Sequence, residues 1–304
     1  MKKTTILLVV FTLLFTGLVQ AQQDPHYTQY MYNQNILNPA YAGSRADLSI
    51  GLLGRTQWVG LDGAPDTQTL NVSGRLGNNL GAALSVIHDQ IGPVDETNLS
   101  LDLSYAISVS ETGKLAVGVK GSYNTLSFGI THPLQANDAY LNNLPKQSYP
   151  NVGAGIYYHT DKFYAGISAP NLLENYTYAV SSQVVEDVSD KIHYFGTLGY
   201  VFDINNNLKF KPSAMVKMVQ GSPISLDLNG SFFINDLFEI GLSWREGDSI
   251  DALIGVQVAP TIRVGYAYDH TITNLGDYNS GSHEIMLLFD LDFAKKHIKS
   301  PRFF

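Results

Sequence analysis

From Ala46 onward the apolar side chains of this chain recur at every second residue. The stretch Leu99-Ser100-Leu101-Asp102-Leu103-Ser104-Tyr105-Ala106-Ile107-Ser108-Val109 shows it most clearly. Each odd position is large and apolar, and each even one is small or polar. In an extended strand the two sets point to opposite faces. The same division separates Leu48, Ile50 and Leu52 from Asp47, Ser49 and Gly51. It also separates Ile262, Val264, Tyr266 and Tyr268 from Arg263, Gly265, Ala267 and Asp269. The helical period is not sustained over any comparable length. The chain is therefore all-β from residue 46 to residue 293.

About 14 such segments follow one another, near 46–58, 67–76, 80–89, 97–109, 115–126, 151–160, 163–169, 191–202, 208–219, 223–234, 237–246, 250–259, 261–269 and 283–293. Most have about the 10 residues that a tilted strand needs to cross a bilayer. Their connections sort by length. The links at Gly77-Asn78, 110–114, Asp161-Lys162, 203–207, Asn235-Asp236 and Pro260 are short, whereas the alternate set includes 127–150, 170–190 and 270–282. Short periplasmic turns opposite long external loops mark an outer-membrane barrel, and an even strand count brings both ends to one side. A secreted sandwich has no reason to sort its loops this way. The sequence predicts a transmembrane, antiparallel up-and-down β-barrel with periplasmic ends. Trp58, Trp244, Tyr105, Tyr200 and Tyr268 fall near strand ends, where interfacial girdles lie.

The rest of the chain fits export. Residues 1–21 read as a signal peptide, with Lys2 and Lys3, an apolar centre at 6–14 and the small-residue site Val19-Gln20-Ala21. The absence of cysteine excludes a disulfide framework and an N-terminal lipid-bearing cysteine. A net charge of −8 makes a nucleic-acid partner unsuitable. Eight scattered His residues offer no metal-ligand spacing, and no Gly-x-Ser-x-Gly elbow is present. Neither a cofactor nor a catalytic residue is expected. Glu284 should face the lumen and His283 the outside. The glycines of Gly153-Ala154-Gly155 should make room on the inner face.

Three groups of residues remain as candidates. Lys209, Lys211, Lys217, Asp227, Glu239, Arg245, Asp251, Arg263 and Asp269 fall on the inner face of neighbouring strands. Their mixed signs favour a cross-strand ion-pair network over a charge-selective pore lining. Phe128, Tyr140, Tyr149, Tyr176 and Tyr178 lie in or beside the long external connections and form a candidate partner surface. Very short links near Gly221 and Gly247 should leave the outer rim low there. Finally, residues 22–45 precede the barrel. They are polar yet aromatic, unlike a solvated tail, and turn at Asn38-Pro39. Tyr27, Tyr30, Asn38, Pro39 and Tyr41 suit a hatch folded into the lumen, with a periplasmic docking strap as the alternative.

The string Gln23-Asp24-Pro25-His26-Tyr27-Thr28-Gln29-Tyr30, followed by Asn38-Pro39-Ala40-Tyr41-Ala42-Gly43, resembles the start of the PorP/SprF family. Further matches are Gly166-Ile167-Ser168-Ala169-Pro170-Asn171-Leu172, Lys211-Pro212-Ser213, Gly265-Tyr266-Ala267-Tyr268-Asp269 and Gly281-Ser282-His283-Glu284-Ile285. The resemblance implies an outer-membrane protein of the type IX secretion system of Bacteroidota, with no enzymatic role. It implies partners of two kinds: a secreted cargo such as a gliding adhesin, held through its C-terminal domain, or other secretion components, including a periplasmic peptidoglycan-binding protein. The basic tail at 294–304, with Lys295-Lys296-His297-Ile298-Lys299, would face the periplasm and anionic lipid. The Asn-Pro-Ala turn is also similar to FadL-type channels, which keeps a channel for small hydrophobic or polar solutes as the rival function.

Overall fold

The computed structural model describes residues 25–128, 146–174, 176–181, 184–189, 191–220 and 222–293. Its strands are β1 (Leu48–Thr56), β2 (Asp66–Arg75), β3 (Leu80–Ile91), β4 (Val94–Ser108), β5 (Lys114–Phe128), β6 (Gln147–His159), β7 (Phe163–Ala169), β8 (Tyr176–Ser181), β9 (Val184–Ser189), β10 (His193–Tyr200), β11 (Phe202–Asn205), β12 (Leu208–Val219), β13 (Ser225–Ile234), β14 (Phe238–Arg245), β15 (Ser249–Ala259), β16 (Ile262–Thr271) and β17 (Ser282–Leu291). Strands β1 to β7 pair in order, β7 pairs with β10, β10 with β12, and β12 to β17 again pair in order. β1 then pairs antiparallel with β17, from Leu48↔Leu291 to Thr56↔His283, and closes the ring. Fourteen strands thus form a closed barrel. β8 and β9 pair only with each other, as a hairpin in a connection expected to be loop. β11 carries the line of β10 past Val201 and pairs with the start of β12, in what was expected to be a turn.

The burial pattern is that of a soluble protein turned inside out. On β4, Ser100, Asp102 and Ser104 are buried, while Leu99, Leu101, Leu103 and Tyr105 are about half exposed. Leu52, Val119, Ile167, Leu242, Ile254 and Ile285 continue the exposed apolar band on other strands. A band of this kind faces lipid, which supplies no hydrogen bonds, so the sheet satisfies its own backbone by closing. At the short-turn end an aromatic row follows the outer surface. Phe163 lies 6.0 Å from Tyr158 and 6.5 Å from Tyr200, and Tyr200 lies 4.5 Å from Phe202. Trp58 lies two residues past the end of β1 with φ +43.

The turn at Asn235-Asp236 has φ +54 and +55. Two consecutive positive values give the twist that a tight hairpin needs, and Asn and Asp tolerate them better than branched residues. The wall is uneven in height. β4 and β5 have 15 residues each, whereas β14 has 8.

A ring of 14 strands leaves a space its own side chains cannot fill. Small barrels of 8 strands are packed solid, and those of 16–18 hold an aqueous channel. The contents of the lumen therefore decide what the barrel can do.

Candidate functional site: the lumen and its N-terminal segment

The residues before β1 pack against the inner wall. Tyr27, Tyr30, Met31, Tyr32, Leu37, Ala40 and Tyr41 are all buried, as are Thr28, Gln29, Gln34 and Asn38. The lumen offers this segment no strand partner, so its backbone satisfies itself in short turns. These are 3₁₀ turns at Tyr30–Tyr32 and Pro39–Tyr41 and one α-helical turn at Gln34–Leu37. Asn38 explains the last of them. Its Oδ1 accepts from the Ala40 N–H at 3.0 Å, while its Nδ2 donates to the Ile156 carbonyl at 3.0 Å. Pro39 follows at the first position of the turn, where no N–H is needed.

Close approach dictates two wall glycines. A Cβ at Gly118 would lie 2.3 Å from the Ala40 nitrogen, and one at Gly155 would lie 2.1 Å from Asn38 Oδ1. Any larger side chain would push the segment off the wall.

The segment crosses the barrel from end to end. His26 Nε2 lies 2.9 Å from the Lys217 ammonium, near the end of β12 that faces the long connections. An ammonium can only donate, so the imidazole nitrogen accepts from it. At the other extreme Arg45 Nε donates to Asp290 at 2.9 Å, where β17 ends and β1 is about to begin. Pro25 and His26 thus stand at the long-loop end.

The inward charges form two clusters, each tied to the segment. Near the long-loop end Arg55 Nη1 meets Asp269 at 2.7 Å and Glu284 at 3.3 Å. Glu284 accepts the Thr28 and Gln29 N–H groups at 2.9 and 2.8 Å, and the Thr28 hydroxyl donates to Asp269 at 2.7 Å. Arg245 bonds Asp227 at 3.0 Å on the adjacent strand. Toward the short-turn end Glu239 receives Arg263 at 2.9 Å, stands 3.9 Å from Lys211 and accepts the Tyr32 hydroxyl. Lys211 and Arg263 lie over the Tyr32 ring at 4.6 and 5.4 Å, and over Phe233 at 5.0 and 5.4 Å. A third pair, Lys120–Asp102 at 3.0 Å, also donates to the Asn35 carbonyl.

Of the nine inward charges taken from the sequence, Lys209 lies apart. It pairs at 2.6 Å with Asp236 of the exposed turn. Its parity is inward, but it lies at the strand's first turn-side positions and reaches outside. Arg55, Lys120, Asp102 and Arg45 were not singled out, although continuing the parity of Ser49 and Gly51 along β1 leads directly to Arg55. Glu284 is buried inward and His283 meets Tyr266 on the outer side, 2.6 Å from its hydroxyl. Tyr149 stands on β6 with its hydroxyl 3.4 Å from Glu96. Tyr140 and the side chains of Phe128, Tyr176 and Tyr178 lie outside the described residues.

Asp251 is the exception to this pairing. It faces Asp269 directly across β15 and β16, and neither of its oxygens has a hydrogen-bond partner among the described residues. Like charges set opposite each other destabilise a sheet. Asp251→Asn is therefore expected to stabilise the barrel, by up to about 1 kcal/mol. Urea unfolding in detergent checks this, and a lower midpoint than wild type would refute the repulsion.

Two small cavities lie beside the segment among the described residues. One cavity beside His26, Tyr30 and Asp227 holds about 10 Å³, and another beside Arg75, Lys114 and His159 holds about 30 Å³. Among the described residues no three His, Asp or Glu side chains converge to hold a metal ion.

The family model described as "Type IX secretion system membrane protein PorP/SprF" matches residues 19–289. No curated protein matches the chain. Among solved structures, the CymD monoaromatic hydrocarbon channel aligns with a TM-score of 0.51 at 11% identity, covering 85% of this chain and 93% of that one. Omp33 of Acinetobacter baumannii aligns at 0.47 and 10%, covering 82% and 100%. A FadL homologue of Pseudomonas aeruginosa aligns at 0.43 and 13%, covering 90% and 96%. At these identities the likeness is one of fold alone.

Proposed function

The chain belongs to the PorP/SprF family of type IX secretion system membrane proteins, and from that premise we propose that it is a plugged, non-catalytic scaffold of the outer membrane. In this reading it holds a secreted cargo protein, or another secretion component, at the outer membrane. The segment at 25–45 is its hatch. The observation that carries the reading is the burial of residues 27–42 inside the ring of strands. A solute site usually offers about 300–1,000 Å³, whereas the spaces beside the segment hold about 10 and 30 Å³. Anchors at both ends, at Glu284 and at Asp290, favour a fixed segment over a mobile one. The long connections and the tall wall of β4 to β6 are the surface for cargo. The short turns and the tail at 294–304 are the surface for a periplasmic partner, such as a peptidoglycan-binding protein.

Affinity purification of the tagged protein from native outer membranes, followed by mass spectrometry, tests this. A large secreted protein or a secretion component is expected to co-purify, and deletion of the gene is expected to remove a protein from the cell surface. Solute uptake or bilayer conductance by the intact protein, with no protein partner, would establish the channel instead.

A further inference from the structure

The second cavity has a chemistry that the ion-pair clusters do not. It opens at the short-turn end and is lined by Arg75 at the end of β2, Lys114 at the start of β5 and His159 at the end of β6. Lys114 and His159 are register partners across β5 and β6. All three fall on the inward parity of their strands, with small residues such as Gly81, Ala106 and Ala116 between them. The backbone of the N-terminal segment at 42–44 forms the floor, held by Ser73 to Gly43 N at 2.9 Å and Ser104 to the Ala42 carbonyl at 2.6 Å.

Among the described residues no carboxylate lines this crevice. Arg75 pairs with Asp47 at 3.6 Å and spends its Nε on the Gly43 carbonyl at 3.1 Å. Lys114 makes no ion pair or hydrogen bond among the described residues. Elsewhere the lumen sets most cations against acids within 4 Å. Here Lys114 stands opposite no acid among the described residues, beside Arg75 and an imidazole, an arrangement that an incoming anion relieves.

The size of the crevice narrows the ligand. The crevice is small, with about 30 Å³ of free space. A two-oxygen head group enters, and the rest of its molecule stays outside. The inward parity turns the three groups away from the lipid face. We propose that this crevice binds a carboxylate of a polypeptide on the short-turn side, an Asp or Glu side chain or a chain terminus that enters over the Gly77-Asn78-Asn79 turn. Arg and Lys form charge-assisted hydrogen bonds with such a group. The site concerns the barrel alone and does not depend on what the cargo is.

The test uses the full chain in a non-ionic detergent and a fluorescein-labelled tetra-aspartate peptide, followed by anisotropy at low salt. Saturable binding is expected. Lys114→Ala should weaken it about tenfold, a loss of roughly one charge-assisted hydrogen bond. Lys114→Arg should largely retain it, and Lys209→Ala, at a basic residue paired with Asp236 at the same end, should leave it unchanged. The all-asparagine peptide should not bind. Because Lys114 contacts no acid, its variants should keep the heat-modified gel shift of a folded barrel. Equal weakening by Lys114→Ala and Lys209→Ala would reduce the effect to diffuse surface charge and overturn the site. Binding of inorganic phosphate or of phosphatidylglycerol vesicles in place of the peptide would overturn the carboxylate assignment.

Discussion

Glu239→Ala is expected to lower the stability of the barrel by about 3–5 kcal/mol, the range for removing one partner of a buried ion pair. Glu239 is 3% exposed and is the acid that Arg263 and Lys211 share. Without it two buried cations lose the acid they share and rest over the faces of Tyr32 and Phe233, and a cation–π contact is worth about 0.5–2 kcal/mol. The Tyr32 hydroxyl also loses its acceptor, so the segment loosens along with the wall. Glu239→Gln keeps an acceptor and loses the charge, and should recover roughly half of the loss. Lys209→Ala is the control, because its pair with Asp236 is exposed; it should change stability by less than about 1 kcal/mol. Urea unfolding in detergent reads all three. A Glu239→Ala loss no larger than the Lys209→Ala loss would mean that water reaches the cations and that the cluster is not dry.

The second large effect concerns passage through the barrel. Deleting residues 27–42 is expected to turn a silent protein into a conducting one, with planar-bilayer conductance rising by about an order of magnitude or more. The reason is geometric. A wall of 14 strands encloses more space than its side chains occupy, and the segment supplies the buried filling. Its removal exposes Arg55, Glu284, Asp102 and Lys120 to water, which solvates them, so the ring itself should persist. A folded but silent deletion variant would show that the external connections close the barrel, and the hatch would lose its role.

The barrel was legible because its period of two is long and repeated. Each of the fourteen wall strands falls within a few residues of the sequence expectation, from β1 to β17. What escaped has physical reasons. The hairpin of β8 and β9 is short and pairs with no wall strand, so nothing in its surroundings imposes a clear alternation. The turns at Tyr30–Tyr32 and Gln34–Leu37 lack any apolar periodicity, because the lumen buries them from all sides. Their polar side chains read as loop in a sequence, yet they meet a polar wall. The direction of the segment was also hidden. It depends on His26 meeting Lys217, a contact across 191 residues that no local pattern announces. Inward charges were legible in part, as parity alone finds them on a strand. Parity does not say that Lys209 is close enough to the rim to escape, nor that Asp251 is left facing another acid.

The bonds from Thr28 and Gln29 to Glu284 join positions more than 250 residues apart. Such contacts belong to the highest contact order the chain possesses, and they form only after the long intervening loop has been closed. Glu284 lies on the last strand, which also zips against the first. A chain arrested before β17 therefore lacks the carboxylate that accepts the N–H groups of residues 28 and 29, however well its earlier hairpins have formed. The entry of this segment works as a completeness check on assembly, and its resistance to protease would time the closing of the ring in a cell.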